Sequence, residues 1–102
     1  MSLKVILERE VHVTTSDSDT LGILRIVCNS TAELAECTCS LPGIDTKDRP
    51  TYGADTLQAL TLTLEYAIQR ILTAKKRGVN IWWVHPEDVG GFRVPIPDEE
   101  TK

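Results

Sequence analysis

Alternating apolar and polar side chains predict three strands in the first part of the chain. Residues 5–13 carry Val and Leu on one face and Glu and His on the other, which is the two-residue period of a half-buried strand. Residues 22–28 are apolar on both faces except at Arg25, and residues 33–41 alternate most regularly. Turn-forming segments rich in Thr, Ser, Asp and Asn separate these runs, so we expect an antiparallel meander.

Apolar residues at three- and four-residue steps then predict one long amphipathic helix within residues 52–78. Asp55 is the predicted N-cap, and Gln58 three residues later completes a capping box. Gly78 provides the left-handed position that commonly follows a helix C-terminus. The side chains predicted to pack on the sheet form one stripe: Leu57, Leu60, Leu64, Ile68 and Ile71.

A fourth strand is predicted at residues 79–85, ended by Pro86, whereas residues 42–52 are predicted to form a loop. The expected fold is α+β: an antiparallel sheet of about four strands in the order β-β-β-α-β, with the long helix packed across one face. The length of 102 residues fits a single domain spanning residues 1–102, and the acidic residues 98–102 are predicted to be a disordered tail.

Charge and hydropathy narrow the classes of partner. The formal net charge of −4 argues against nucleic acid as a partner, because binding to its backbone needs clustered Lys and Arg. No run approaches the roughly 18 apolar residues that would span a bilayer, and the first residues lack the features of a secretory signal. We therefore expect a cytoplasmic protein without a membrane partner, in which the three cysteines are reduced thiols.

Two motifs resemble metal sites, and each has a simpler structural explanation. Cys37-x-Cys39 could bind zinc or act as a reactive thiol pair, but no second ligand pair with suitable spacing exists. Small cysteines facing the core explain this pair better. Asp17-x-Asp19 begins like a calcium loop, yet position 12 is Cys28 where a bidentate Glu is required. A solvated turn explains this segment.

His85, Glu87 and Asp88 gather an imidazole and two carboxylates at the end of the fourth strand. General acid–base chemistry at this place is one interpretation, and a plain strand-ending turn is the other. The chain offers no neighbouring motif for an activated nucleophile and no nucleotide-binding glycine loop. We therefore predict no catalytic residue, no metal and no cofactor.

The fourth strand is apolar on both faces, which points to a second covered surface. Ile81 and Trp83 alternate with Trp82 and Val84, and one helix covers only one face of a sheet. An exposed apolar patch of this kind is expected to be covered by the C-terminal segment around Phe92, Val94 and Ile96, by a second copy of the chain, or by another partner or ligand. The residues predicted to form the interface are Ile6, Ile23, Val27, Trp82 and Val84.

Several short motifs together resemble a known protein family. They are Glu8-Arg9 in the first strand, the run Tyr52-Gly53-x-Asp55-x-Leu57-Gln58-Ala59-Leu60, and Gly91-Phe92 followed by Pro95. The chain is similar over nearly its full length to a family of small, single-domain, mostly bacterial proteins known only as a domain of unknown function. This chain differs in spacing, with Arg93 and Val94 between Phe92 and Pro95. The resemblance implies an "ER" strand, the helix start and a tryptophan-bearing strand, and it implies no activity.

Two functional hypotheses follow from these observations. The favoured one is a small non-catalytic domain that binds a protein partner or forms a homodimer. Analogy with other small acidic bacterial domains suggests the immunity or antitoxin type. The alternative is a ligand-binding or enzymatic domain with a site near the helix N-terminus, which is a natural place for an anion. The residues predicted for that site are Arg9, Tyr52, Asp55 and His85.

Overall fold

The computed structural model describes residues 2–44 and 49–93, with side chains from Lys4 onward. These residues form an α+β fold, as predicted, in which five antiparallel strands make one sheet and a single long helix packs against it. The disordered tail predicted for residues 98–102 lies outside this part of the chain. The elements in chain order are β1 (Ser2–Thr14), β2 (Asp19–Ser30), β3 (Ala35–Ser40), β4 (Pro50–Gly53), α1 (Thr56–Lys76) and β5 (Asn80–Trp82).

The strands lie in the order β4-β3-β2-β1-β5, so the first four form the meander and β5 returns to the free side of β1. The sheet has one strand more than the expected count of about four, because β4 overlaps the end of the predicted loop 42–52. Four residues bounded by Pro and Gly show no alternation, and it is pairing with Ala35–Thr38 of β3 that makes them a strand. Pro50 is tolerated because it is the first residue of an edge strand.

A β-bulge in β1 changes which apolar side chains face α1. Val5 is opposite Val27 of β2, but Leu7 is opposite Ile26, so the register shifts by one residue between them. Strict alternation predicts Val5 and Leu7 on the same face. The bulge instead places Val5 on the face away from α1 and leaves Leu7 against the core.

Small residues form the buried face of α1, and this differs from the predicted leucine stripe. The fully or nearly buried positions are Ala59, Thr63, Ala67, Ile71 and Ala74. Leu57, predicted to be buried, is 72% exposed, whereas Leu60, Leu64 and Ile68 are half-buried along one flank. The helix lies close to β4 at Gly53. A Cβ atom added to Gly53 would stand only 2.5 Å from the backbone nitrogen of Ala59. Leucines do not fit at the centre of such a contact.

Both predicted helix ends are confirmed. The carboxylate of Asp55 accepts a hydrogen bond from the Gln58 N–H (2.8 Å), and the Gln58 side chain accepts one from the Ala54 N–H (2.7 Å). This is a capping box in which the reciprocal bond reaches one residue before the N-cap. At the other end Arg77 is the C-cap and Gly78 follows with φ of +92°.

Cysteine pairing differs from the expectation of three thiols. Cys28 and Cys37 are directly opposite on β2 and β3, with 4.1 Å between their Cα atoms, and they form a disulfide. Cys39 is buried and is not part of that bond. All three point into the core beneath α1, which confirms the prediction that Cys37 and Cys39 are core residues. Cys37 and Cys39 are two residues apart on β3, so the sequence predicts that both lie on the same face. The disulfide depends on the register between β2 and β3, which places Cys28 opposite Cys37.

No helix within residues 2–44 and 49–93 is long and apolar enough to cross a membrane.

Replacing Gly53 by Ala tests the close contact between β4 and α1. We expect the free energy of unfolding to fall by about 1–3 kcal/mol, because the new methyl group meets backbone atoms of the helix and cannot be relieved by a rotamer change. Urea unfolding measures the change. Gly78→Ala is the control, because nothing lies within 4 Å of its added Cβ. Its free energy of unfolding should fall by about 1 kcal/mol, since alanine adopts the left-handed backbone conformation of Gly78 less readily than glycine. A Gly53→Ala variant as stable as wild type would contradict the close approach.

Reducing the Cys28–Cys37 disulfide tests how far it stabilises the meander. The two cysteines are nine residues apart in sequence, so the bond closes a short loop, and removing it is expected to cost about 2–3 kcal/mol. Urea unfolding with and without dithiothreitol measures the difference. A Cys28→Ala/Cys37→Ala variant is the control, because it must lose all sensitivity to the reductant. Equal stability in both conditions for the wild type would show that the bond contributes nothing.

Candidate functional site

The segment that follows β5 forms a turn held by one buried carboxylate. Asp88 accepts hydrogen bonds from the backbone N–H groups of Trp83, Val84, His85 and Gly91, at 2.7–3.0 Å. Burial raises the pKa of Asp88, but these four N–H groups outweigh burial and leave the pKa below its ordinary value. The carboxylate is therefore held as a structural anion within the turn.

This arrangement favours the turn interpretation of the His85 segment over acid–base chemistry. The Asp88 carboxylate is 4% exposed and its oxygens already accept four hydrogen bonds. His85 Nδ1 accepts the N–H of Glu87 within the same turn, at 3.1 Å. Val89 has a φ of +53°, which is unusual for a β-branched residue, and the hydrogen-bonded turn holds it there. The three titratable groups thus build a turn and do not converge on a shared cavity.

The four residues predicted for a ligand site are not brought together. Tyr52 is an exposed residue of the edge strand β4, and Asp55 next to it is used as the helix cap. Arg9 and His85 belong to the opposite side of the sheet, where β1 and β5 are neighbours. Strands β3 and β2 lie between the two pairs. A single small ligand cannot contact all four residues.

Arg9 is instead part of the packing on the helix side of the sheet. Its guanidinium donates a hydrogen bond to the carbonyl oxygen of Gly90 (3.1 Å) and lies 3.9 Å from the ring centroid of Trp83. This cation–π contact holds the turn after β5 against the sheet. Arg9 therefore occupies the margin of the apolar face.

The face of the sheet away from α1, called here the open face, carries the remaining candidate surface. Its side chains follow from the strand register and the alternation along each strand. They include Val5, Glu8, Glu10 and His12 of β1, Leu21, Ile23, Arg25 and Val27 of β2, Thr38 and Ser40 of β3, Tyr52 of β4 and Trp82 of β5. No helix lies over this face among the described residues.

Apolar side chains on the open face are unusually exposed. Val5, Leu21 and Ile23 are 58%, 59% and 46% exposed, and they lie on the two neighbouring strands β1 and β2. Val27 and Trp82 are half-buried beside them. Between these groups Glu8 accepts a 2.6 Å ion-pair hydrogen bond from Arg25 Nε. The surface is thus apolar toward both ends of the strands and charged in the middle.

At one end of the open face His12, Thr14, Asp19 and Trp82 form a polar and aromatic cluster. The His12 ring stacks on Trp82 with 3.9 Å between centroids and 11° between planes. Trp82 Nε1–H donates to Thr14 Oγ1 (2.9 Å), whose hydroxyl donates to Asp19 (3.2 Å). Asp19 in turn lies 3.4 Å from His12 Nδ1. These contacts fix an aromatic platform that remains accessible to a partner.

Only three of the five residues predicted for the interface lie on the open face. Ile23, Val27 and Trp82 lie on the open face, where the alternation places them. Ile6 is the bulged residue of β1 and lines a small cleft of about 300 Å³ with Lys4 and Cys28 on the helix side. Val84 follows the end of β5 and is 71% exposed, with its N–H bound to Asp88.

The described part of the C-terminal segment covers the helix side of the sheet and not the open face. A Cβ atom on Gly90 would lie 2.9 Å from Ile71 of α1 and 3.4 Å from Leu24 of β2, and Phe92 packs against the same core. The proposed cover of the open face by Phe92 is therefore wrong. Val94 and Ile96, predicted to contribute to it, lie outside the described residues.

Sequence reasoning missed Val5, Leu21 and the His12 cluster as parts of the open face. The bulge hides Val5, because an irregular register cannot be read from alternation. His12 did carry a signal, since it alternates with Val11 and Val13 on the face of Glu8 and Glu10. Its partners Asp19 and Trp82 come from separate strands, so their contact depends on the sheet order.

Within the described ranges no group of three or more His, Cys, Asp or Glu residues is arranged to hold a metal ion. Comparison of the chain with protein-family models, with curated proteins and with solved structures finds no match.

Lowering the pH is expected to weaken the fold through Asp88. Its pKa is lower in the folded chain than in the unfolded chain, so below an ordinary aspartate pKa of about 4 the unfolded state takes up the proton first. The stabilisation is complete above that pH and is lost as the pH falls through the folded pKa. Urea unfolding between pH 2 and 7 measures the slope.

Asp88→Asn removes this pH dependence and gives the matched test. We expect a loss of about 2–3 kcal/mol at neutral pH, because one amide oxygen cannot accept all four N–H groups. Asp17→Asn in an exposed turn is the control and should leave both stability and its pH slope unchanged. If the two variants behave alike, the carboxylate of Asp88 does not hold the turn.

Proposed function

We propose that this domain is a non-catalytic protein-interaction module that forms a homodimer through the open face. The observation that carries the proposal is the exposure of Val5, Leu21 and Ile23 on two adjacent strands, together with the fixed His12–Trp82 platform. Exposed apolar side chains beside an aromatic anchor are typical of protein–protein interfaces. Helix α1 and the turn after β5 pack on the other side of the sheet.

The dimensions of the molecule suit such an interface. The domain is a slab of 45 × 35 × 20 Å, and the open face is one of its two broad sides. A standard interface buries roughly 800 Å² on each partner, which is about half of a 45 × 35 Å side. Two sheets packed face to face lie about 10 Å apart, with their strands rotated by about 30°. A broad side of the molecule is therefore large enough for a dimer interface of standard size.

Charge favours a second copy over an unrelated apolar partner. A two-fold axis parallel to the strands, between β1 and β2, places β1 of one copy over β2 of the other. Glu8 then meets Arg25 of the partner while Val5 meets its Val27. The Glu8 and Arg25 charges in the middle would remain paired across the axis, as burial requires. Toward one end of the strands the valines of the two copies would cover one another, whereas toward the other end Leu21 and Ile23 would lie opposite His12 and Glu10.

The finer assignments made from the sequence remain proposals. An immunity or antitoxin role rests on analogy alone. The same holds for a bacterial origin. A cytoplasmic location also stays a proposal, and the Cys28–Cys37 disulfide weighs against it, because such bonds persist mainly in oxidising compartments.

Sedimentation equilibrium over a range of concentrations tests self-association. The wild type is expected to approach twice the 11.3 kDa chain mass, and Ile23→Glu should weaken dimerisation at least tenfold by placing a charge within the apolar patch. Leu57→Glu is the matched control, because Leu57 is also exposed but lies on the helix layer, and it should leave the dimer intact. A wild type that stays monomeric at several hundred micromolar would contradict the homodimer, as would equal effects of the two variants.

A further inference from the structure

The Cys28–Cys37 disulfide borders a cleft, and this position gives its two sulfur atoms unequal access. The cleft has a volume of about 300 Å³, and the described residues that line it include Lys4, Ile6, Cys28 and Thr56. Lys4 and Ile6 are exposed, so the cleft opens to solvent. Cys28 is 5% exposed, whereas Cys37 is completely buried. A small reagent in the cleft would therefore reach the bond from the Cys28 side.

Lys4 is the charged residue that this cleft places beside the bond. It lies directly opposite Cys28 in the register of β1 with β2, and residues paired in this way have Cβ atoms about 5 Å apart on one face of the sheet. No carboxylate is among the described lining residues, and Lys4 forms no ion pair with another described residue. Residues 1–3, whose side chains are outside the described part, include no acidic residue. The ammonium group is therefore available to a thiolate at Cys28.

The first turn of α1 adds little to this field. Thr56 begins the helix beside the cleft, and the partial positive charge of a helix N-terminus favours a nearby anion. The carboxylate of the N-cap Asp55 lies at the same helix end and opposes that effect. The electrostatic role is accordingly assigned to Lys4.

We propose that Cys28 and Cys37 form a thiol–disulfide exchange site that reacts with low-molecular-weight thiols in the folded domain. An external thiolate forms a bond to Cys28 Sγ, and the Cys37 sulfur leaves as a thiolate that takes up a proton. A second external thiolate then attacks the sulfur of the bound reagent, which departs as its disulfide and leaves a Cys28 thiolate. Two electrons thus pass from two external thiols to the protein bond.

The unequal access gives the two cysteines different roles in the reverse reaction. The Cys28 thiolate attacks an external disulfide and forms a mixed disulfide, and Cys37 then displaces the reagent and restores the bond. Lys4 is a positioning residue, because a cation close to a cysteine stabilises its thiolate form. The site is on the helix side of the sheet, so the proposal stands independently of dimerisation through the open face.

The rate of reduction by glutathione in the absence of denaturant tests the proposal. The rate is expected to rise with glutathione concentration and to exceed the rate of global unfolding. Lys4→Gln should slow it about fourfold, which is the effect of one charge at roughly 5 Å in water, and Lys4→Arg should retain the wild-type rate. Lys75→Gln is the matched control, because it removes the same charge from an exposed position at the far end of α1.

Mass spectrometry of proteolytic peptides locates the sulfur that reacts. In a Cys37→Ala variant, oxidised glutathione should remain bound to Cys28 as a mixed disulfide, because the thiol that would displace it is absent. Circular dichroism checks that the variants fold. The wild-type kinetics decide the question without any substitution if Cys37→Ala is unfolded.

A purely structural disulfide would give a different set of results. A reduction rate that is independent of glutathione concentration and equal to the rate of unfolding would overturn the exchange site. A mixed disulfide found on Cys39 and not on Cys28 would overturn the assignment of the reacting sulfur. Equal rates in Lys4→Gln and Lys75→Gln would overturn the role of Lys4.

Discussion

The close contact between α1 and the β3–β4 half of the sheet is the constraint on which the rest of the structure depends. Ala59, Thr63 and Ala67 let the helix approach, and Gly53 lacks the Cβ atom that would collide with the helix backbone. Thr63, fully buried here, directs its hydroxyl toward the Cys37 carbonyl at 3.4 Å. Helix α1 packs mainly on β3 and β4, with fewer contacts to β5 and β2, and it does not cover β1.

Covering the other half of the helix-side face is left to the turn after β5. Gly90 fits between Ile71 and Leu24, while Arg9 reaches from β1 to the Gly90 carbonyl and to Trp83. Asp88 organises that turn from within, so a buried carboxylate and a marginal arginine act as packing residues. Polar residues that sequence alone suggests for a functional site therefore serve to close the core. The open face is left without a described cover.

Local signals made the helix and its ends predictable. Asp55, Gln58 and Gly78 act within four residues of their partners, so their roles follow from spacing alone. Non-local features were not predictable in this way. The bulge at Val5–Leu7, the short strand β4 and the Cys28–Cys37 bond all depend on which strands are neighbours. The proposed grouping of Tyr52 with His85 failed for the same reason, because β4 and β5 are opposite edges of the sheet.

The sheet separates the two layers of the molecule, and β3 shows how. Thr38 and Ser40 of β3 lie on the open face, while Cys37 and Cys39 lie in the core beneath α1. The two-residue period of the strand predicts this division from sequence alone. A change on the helix layer would reach the open face only by moving β3, and the ladders on both sides of that strand oppose such movement. Substitutions on the exposed surface of α1 are accordingly expected to leave self-association unchanged.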